Sequence, residues 1–285
     1  MRVTYVDVDG LPTRCYTAGK GPPLMLIHGI GASCDSWIRV IDQLGEHFHV
    51  VAPDLMGHGL TGIGDFTGGP PQPRMVQHLF GVADAMGFGP FSVFGSSYGA
   101  LLAVLCHFAD KARVEKVIML GSASATMPDD QRLLSFQAAR KAAIATMAQP
   151  TLDYARERVT NMVFDPACIP PELLFLQMNV FARPGLQAGF EAIMDGMMDF
   201  EATRPWTVRG RFHEIICPLL MIWGANDPFA KLEQALEAAR AAPDARFVTM
   251  DRCGHVPHLE HPEQVVSLAR RFLTGDAMEE HRLAA

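Results

Sequence analysis

Short unbroken apolar runs alternate along the chain with stretches whose apolar positions recur every three or four residues. Runs such as PLMLIHG and PLLMIWG are bounded by Gly or Pro and lack a polar face, as strands buried on both sides do. Strands are expected over 3–9, 13–19, 23–29, 49–55, 91–96, 116–122, 218–224 and 246–251. The first two read as an antiparallel hairpin turning at Asp9-Gly10. Helical periodicity falls between the later strands, over 35–46, 75–86, 98–109, 231–241 and 262–273. Strands alternating with helices predict an α/β fold on a mostly parallel sheet.

The rhythm breaks between about 125 and 210, where helix-like segments at 129–148, 151–164, 171–182 and 185–198 follow one another without a convincing strand. Proline-containing dipeptides separate them, including Gln149-Pro150, Asp165-Pro166 and Pro170-Pro171. The organisation expected is therefore a core of residues 1–124 and 211–285 interrupted by a helical domain at 125–210. The polar tail from Gly275 onward reads as a frayed end.

Composition narrows the function. A hydrophobic fraction of 49% with a net charge of only −7 is that of a chain able to bury a core, which excludes disorder. The acidic balance leaves no basic face for phosphates, so nucleic acid is excluded as a main partner. No apolar run reaches the ~18–20 residues a membrane-spanning helix needs, and the start of the chain lacks a secretory pattern. Cys15, Cys34, Cys106, Cys168, Cys217 and Cys253 show no paired or zinc-type spacing. They read as free thiols of a cytoplasmic protein, and neither metal nor cofactor is called for.

The sharpest chemical signal is Gly95-Ser96-Ser97-Tyr98-Gly99, set between the apolar run FSVF and the helix-like ALLAVLCHFA. A strand-to-helix turn this tight needs small flanking residues, and it presents Ser97 as a nucleophile while Ser96 points elsewhere. The competing reading is an ordinary Gly-Ser turn. A serine hydroxyl needs a base, and His255, in the glycine-flexed loop after the last strand, is preferred among eleven histidines. Its rivals His258 and His261 are expected to face solvent or cap backbone near the start of the last helix, and His58 to sit at a structural corner. Asp227, in Gly224-Ala225-Asn226-Asp227-Pro228 at the end of a buried strand, is the expected carboxylate partner of His255. The loop after the preceding strand, Gly121-Ser122-Ala123-Ser124-Ala125, offers no acidic alternative.

An oxyanion requires preorganised N–H donors, and the backbone amides of Tyr98 and Ile30 are the candidates. Ile30 lies in the turn His28-Gly29-Ile30-Gly31, where His28 reads as a structural hydrogen-bonder.

In this order, His28-Gly29, Asp54-Leu55-x-Gly57-His58-Gly59, the Ser97 turn, Gly224-x-x-Asp227-Pro228 and Gly254-His255-x-Pro257 resemble the α/β-hydrolase family over nearly the whole chain. The resemblance implies an eight-stranded sheet with a helical cap inserted after the sixth strand. Serine rather than aspartate at position 97 speaks against dehalogenase or epoxide-hydrolase chemistry. Val163-Phe164-Asp165-Pro166 and Cys253-Gly254-His255 are further similar to the carbon–carbon hydrolases that cleave ring-fission products in aromatic degradation. Three departures stand out: Gln177 where those enzymes carry a cap arginine for the substrate's acidic end, Val256 where they carry tryptophan, and no asparagine in the loop after His28.

The leading expectation is thus a serine hydrolase cleaving an ester or related acyl bond of a small, largely apolar substrate. The alternatives are a carbon–carbon hydrolase acting on a vinylogous diketone and, from another class, a ligand-sensing receptor with a hydrolase-like pocket. Expected pocket residues are His28, Gly29, Met162, Gln177, Met178, Phe181 and Val256. Arg140, Arg156, Arg158 and Arg183 are the cap cations whose placement would restore an acidic substrate. A small-molecule partner is implied, and a homodimer is compatible with the reading.

Overall fold

A computed structural model describes residues 1–277. Eight strands form one sheet: β1 (Arg2–Val8), β2 (Leu11–Ala18), β3 (Pro23–Ile27), β4 (His49–Pro53), β5 (Phe91–Ser96), β6 (Val114–Leu120), β7 (Leu219–Gly224) and β8 (Ala245–Met250). Their spatial order is β1-β2-β4-β3-β5-β6-β7-β8. β1 and β2 form the expected hairpin, with Val8 opposite Leu11, and Asp9 and Gly10 both at positive φ. β2 meets β4 antiparallel, and every later pairing is parallel.

The helices are α1 (Ile41–Gly45), α2 (Pro71–Ala85), α3 (Tyr98–Ala109), α4 (Ala123–Thr126), α5 (Asp129–Ala148), α6 (Leu152–Thr160), α7 (Pro171–Phe181), α8 (Leu186–Met198), α9 (Phe200–Thr203), α10 (Leu232–Ala241), α11 (Pro257–Glu260) and α12 (Pro262–Thr274). β3 is a continuous apolar run because it is buried on both faces. Met25 and Ile27 face one hydrophobic cluster with α2 and α3, while Leu24 and Leu26 face a second with α1 and α12. β5 and β7 are likewise buried at every position.

Two expected helices change shape. The span 35–46 is a 3-10 turn, Cys34–Trp37, followed by the short α1. The span 151–164 ends as α6 at Thr160, and Asp165 caps a separate turn over Pro166–Cys168 through the Ala167 amide. The expected domain boundary at 124/125 falls inside α4, and between β6 and β7 the described residues contain only helices and loops. Of the tail, Gly275 terminates α12 in the left-handed conformation, and residues 278–285 lie outside the described residues. No helix among the described residues is long and apolar enough to cross a membrane.

Candidate active site

Ser97 stands between β5 and α3 at φ 55°, ψ −118°, a backbone region side chains rarely occupy. The strain is held by the turn. The Ser97 amide donates to the Leu120 carbonyl at 2.8 Å, and the Ser97 carbonyl accepts from Ser122 Oγ at 2.7 Å. The flanking glycines are needed for contact: a Cβ on Gly95 would sit 2.2 Å from the Gly99 oxygen, and one on Gly99 2.1 Å from the Ile27 oxygen.

This turn aims Ser97 Oγ at His255 Nε2, 2.9 Å away. On the other side of the ring, His255 Nδ1 lies 2.8 Å from Asp227 Oδ2. Asp227 is itself fixed, because its Oδ1 accepts from the Phe229 and Ala230 amides at 2.9 and 3.0 Å. With one carboxylate oxygen occupied by backbone donors, the other is turned to the imidazole. Both side chains are almost fully buried. Phe229 covers the ring edge-on at 5.1 Å. Gly121, at φ 40°, leaves the space this pair occupies, since a Cβ there would lie 2.9 Å from Asp227 Oδ2.

The loop after β3 is set by His28. Its Nε2 accepts from the Leu55 amide at 2.9 Å, which leaves the proton on Nδ1 to donate to the Gly29 carbonyl at 2.8 Å. That carbonyl also accepts from the Ala32 amide at 3.2 Å. Burial keeps His28 neutral by lowering its pKa. Gly29 then passes so close that a Cβ would touch Ser97 Cβ at 3.0 Å. The Tyr98 amide opens α3, where the first N–H groups have no intrahelical acceptor.

A pocket of about 640 Å³, including its solvent-facing mouth, opens beside Ser97. Of the residues expected there, Gly29, Met162, Gln177 and Val256 line it, and Ile30, the expected amide donor, borders it as well. Met178 and Phe181 do not: Phe181 is buried in the main core, because α7 turns that side of its surface inward. His28 lies beneath the loop rather than in the lining. Ser96 borders the cavity, although Ser97 holds the bond to His255.

The histidine rivals separate clearly. His58 is buried against His28 and Phe190. His261 bonds the Arg252 carbonyl at 3.1 Å. His258 corrects the expectation that it faces solvent: it is 1% exposed, lies 4.4 Å from the Trp37 ring, and lines the pocket. Pro257 starts the four-residue α11 and turns His258 inward. Among the four arginines, Arg140 pairs with Asp195, Arg183 donates to the Gly59 and Thr61 carbonyls, and Arg156 is exposed. Arg158 lines the pocket.

The inserted helices are also tied to the histidine loop, which the sequence did not reveal. The His255 amide donates to the Met162 carbonyl at 2.7 Å. Glu260 accepts from Gly254 N at 2.8 Å with one oxygen and from Phe164 N at 2.7 Å with the other. Hydrogen bonds to a charged acceptor contribute ~1.5–3 kcal/mol each, so Glu260→Ala is expected to lower stability by about 2–4 kcal/mol in urea unfolding, with Glu260→Gln recovering part of it. Equal urea midpoints for Glu260→Ala and the parent chain would contradict this.

A profile described as the alpha/beta hydrolase family matches residues 24–268. Among curated proteins, the chain is 26% identical over 280 residues to a 2-hydroxymuconate semialdehyde hydrolase of Pseudomonas sp. strain CF600, covering 93% of this chain and 91% of that one. It is 24% identical to the pimeloyl-[acyl-carrier protein] methyl ester esterase of Nitrosospira multiformis, covering 89% and 95%. Among solved structures, a 2-hydroxy-6-oxo-6-phenylhexa-2,4-dienoate hydrolase from Rhodococcus sp. strain RHA1 superposes with a TM-score of 0.78 at 23% identity, covering 96% of this chain and all of the other. The strand order, the strained serine turn and a profile match over most of the length agree, and the chain belongs to the alpha/beta hydrolase family and is a hydrolase.

Proposed function

We propose that the protein is a serine hydrolase that cleaves an acyl bond of a small molecule through Ser97, His255 and Asp227. The observation that carries this is the continuous relay of short contacts, Ser97 Oγ to His255 Nε2 at 2.9 Å and His255 Nδ1 to Asp227 Oδ2 at 2.8 Å. Ser97 Oγ attacks the carbonyl as His255 Nε2 takes its proton, and Asp227 stabilises the imidazolium. The tetrahedral oxyanion rests on the Ile30 and Tyr98 amides, each such donor contributing ~10²–10³ in rate. His255 then protonates the leaving group, and a water activated by the same ring releases the acid. The helices at 125–210 act as a cap whose inner side selects the substrate. Because the chemistry uses only side chains and amides, no metal or cofactor is assigned.

A fluorophosphonate that phosphorylates activated serines tests this. Peptide mass spectrometry is expected to place the label on Ser97, with labelling abolished in His255→Ala. Label on Ser96 or Ser122 instead would refute the assignment.

A second reading keeps the same residues but cleaves a carbon–carbon bond next to a ketone of a vinylogous 1,5-diketone. It is favoured by curated relatives named as hydrolases of that type, at 26–27% identity over more than nine-tenths of this chain. Decay of a coloured ring-fission dienol faster than that of a short p-nitrophenyl ester would select it.

A further inference from the structure

The turn Gly29–Ala32 carries the Ile30 amide, yet none of its residues belongs to a helix or strand. In a trans peptide the N–H points opposite to the carbonyl of the same plane, so the Gly29 carbonyl sets the direction of the Ile30 N–H. That carbonyl accepts from His28 Nδ1 at 2.8 Å and from the Ala32 amide at 3.2 Å. The Ala32 amide shares its own plane with the Gly31 carbonyl. Gly31 O accepts from Arg158 Nη2 at 3.3 Å and from Gln177 Nε2 at 3.4 Å. Arg158 Nη2 reaches the Ile30 carbonyl as well, at 3.3 Å. The Ile30 N–H itself has no protein acceptor among the described residues.

These bonds run in one direction, from the Arg158 guanidinium through the Gly31–Ala32 peptide to the Gly29–Ile30 peptide. Each peptide group in such a chain polarises the next, by roughly 10–30% per bond. The chain begins at a cation, because a guanidinium stays protonated at any working pH. Arg158 comes from the last turn of α6, is half-buried, and lies 5.4 Å from the centre of the Phe181 ring. Among the described residues it forms no ion pair, whereas Arg140 pairs with Asp195. A carboxylate would take up that charge, and two carbonyls leave it to act along the peptides. Gly31 makes the contact possible: its φ of 65° suits glycine, and a Cβ there would stand 2.6 Å from Arg158 Nη2.

We propose that Arg158 is a positioning residue for the oxyanion hole, which orients and polarises the Ile30 N–H through the Gly31 and Gly29 peptides. This rests on the serine-hydrolase reading of the same site. Arg158 acts on the donor and not on the substrate, so its effect is the same for every acyl chain. Because Arg158 and Gln177 stand on α6 and α7, the Ile30 donor is at full strength only while the inserted helices sit on this turn.

The oxyanion's charge develops only in the tetrahedral state, so the signature is a loss in kcat with KM nearly unchanged. Arg158→Met is expected to lower kcat about tenfold on p-nitrophenyl acetate and p-nitrophenyl hexanoate alike, less than the ~10²–10³ that outright loss of one donor costs. Arg158→Lys, which keeps a cation, is expected to recover more of the rate than Arg158→Gln, which keeps only a neutral donor. A hexyl trifluoromethyl ketone reads the oxyanion directly: Ser97 Oγ adds to its carbonyl carbon, the hydroxyl proton passes to His255, and the ketone oxygen becomes the anion. Its inhibition is expected to weaken in parallel with kcat across the three variants. An unchanged kcat in Arg158→Met, an inhibitor affinity that does not follow kcat, or Arg158→Gln matching the parent chain would each overturn the proposal. So would a loss confined to KM for the hexanoate, because Arg158 would then hold the acyl chain. If Arg158→Met does not fold, the Lys and Gln variants carry the same comparison. Ser97→Ala assayed alongside separates the two failures. Activity retained there removes the serine-hydrolase reading and this proposal with it, whereas an inactive Ser97→Ala beside an unslowed Arg158→Met removes the proposal alone.

Discussion

Ser97→Ala is expected to lower kcat on a cleavable ester by about 10⁴–10⁶-fold, because removing a nucleophile that works as one unit with its base leaves only oxyanion binding and positioning. Progress curves with p-nitrophenyl hexanoate measure it, and a loss below tenfold would remove Ser97 from the chemistry. The same position carries a stability signature that a passive serine would not. Its φ of 55° and ψ of −118° place a side chain where backbone strain costs ~1–3 kcal/mol. Alanine keeps the Cβ and the strain. Glycine removes both, at an entropic cost of ~0.5–1 kcal/mol. Ser97→Gly is therefore expected to be inactive yet about 1 kcal/mol more stable than Ser97→Ala, a gap of roughly 2–4 °C in Tm for a chain of this size class. Equal melting of the two variants would mean that the turn is relaxed.

The largest effect on stability is expected away from the chemistry, at Arg14. This side chain is 4% exposed and joins two buried carboxylates, Asp54 through Nε at 2.6 Å and Asp35 through Nη2 at 2.7 Å. Asp54 also accepts from the Cys34 and Leu60 amides, so it anchors both the turn after β3 and the corner after β4. Tyr16 and Ser33 complete the shell of Asp35. Arg14→Met strands both carboxylates without a cation and is expected to cost ~3–5 kcal/mol.

The pH dependence has a definite sign. Burial alone would raise the Asp54 pKa, but the hydrogen bond and charge of Arg14 outweigh it and hold the group below the ordinary carboxylate range. In the parent chain its contribution is present above the unfolded-state pKa of ~3.9 and is lost as pH falls through the lower folded value. In Arg14→Met the burial of Asp54 is no longer offset by the cation, so the folded state holds its proton more tightly than the unfolded chain and acid relieves it. The gap between variant and parent is thus expected to be widest near pH 7 and to shrink toward pH 4 in urea melts. If Arg14→Met does not fold, Arg14→Lys, which keeps the charge and loses the fork, is expected to give a smaller deficit of the same pH trend. A deficit that grows on acidification would contradict this account.

Much of the central sheet and the Ser97, Asp227 and His255 set was legible because each sits where a short buried strand stops. A fully apolar run ending in glycine marks the strand end, and the chemistry follows within a few residues. The insert was legible only as helices. Its α6 stops at Thr160 rather than 164 because Asp165 and Pro166 start a new turn, and that early stop frees Met162 and Phe164 to reach the histidine loop. Which helix side faces Ser97 depends on how α6 lies against α7 and the Ile30 loop, so periodicity alone could not distinguish Arg158 from Arg156. His258 was misread for a related reason: a histidine one residue past a proline suits an exposed helix start, and the Trp37 ring it packs against lies more than 200 residues away in the chain. Gly121 and Phe229 act through space they leave or cover, and residue type alone does not carry that.

The bonds from Met162 and Phe164 to the loop of His255 and Glu260 bear on how such proteins can be recombined. A chimera made by exchanging residues 125–210 for the matching segment of a relative would appear to swap a substrate selector and leave the chemistry alone. Here the seam runs through the mounting of His255, the proposed general base, since the exchanged piece supplies the carbonyl that holds the His255 amide at 2.7 Å. A productive graft must reproduce the backbone path of 162–164, or carry the 253–260 loop along with it. Selectivity and basicity are in this sense inherited together.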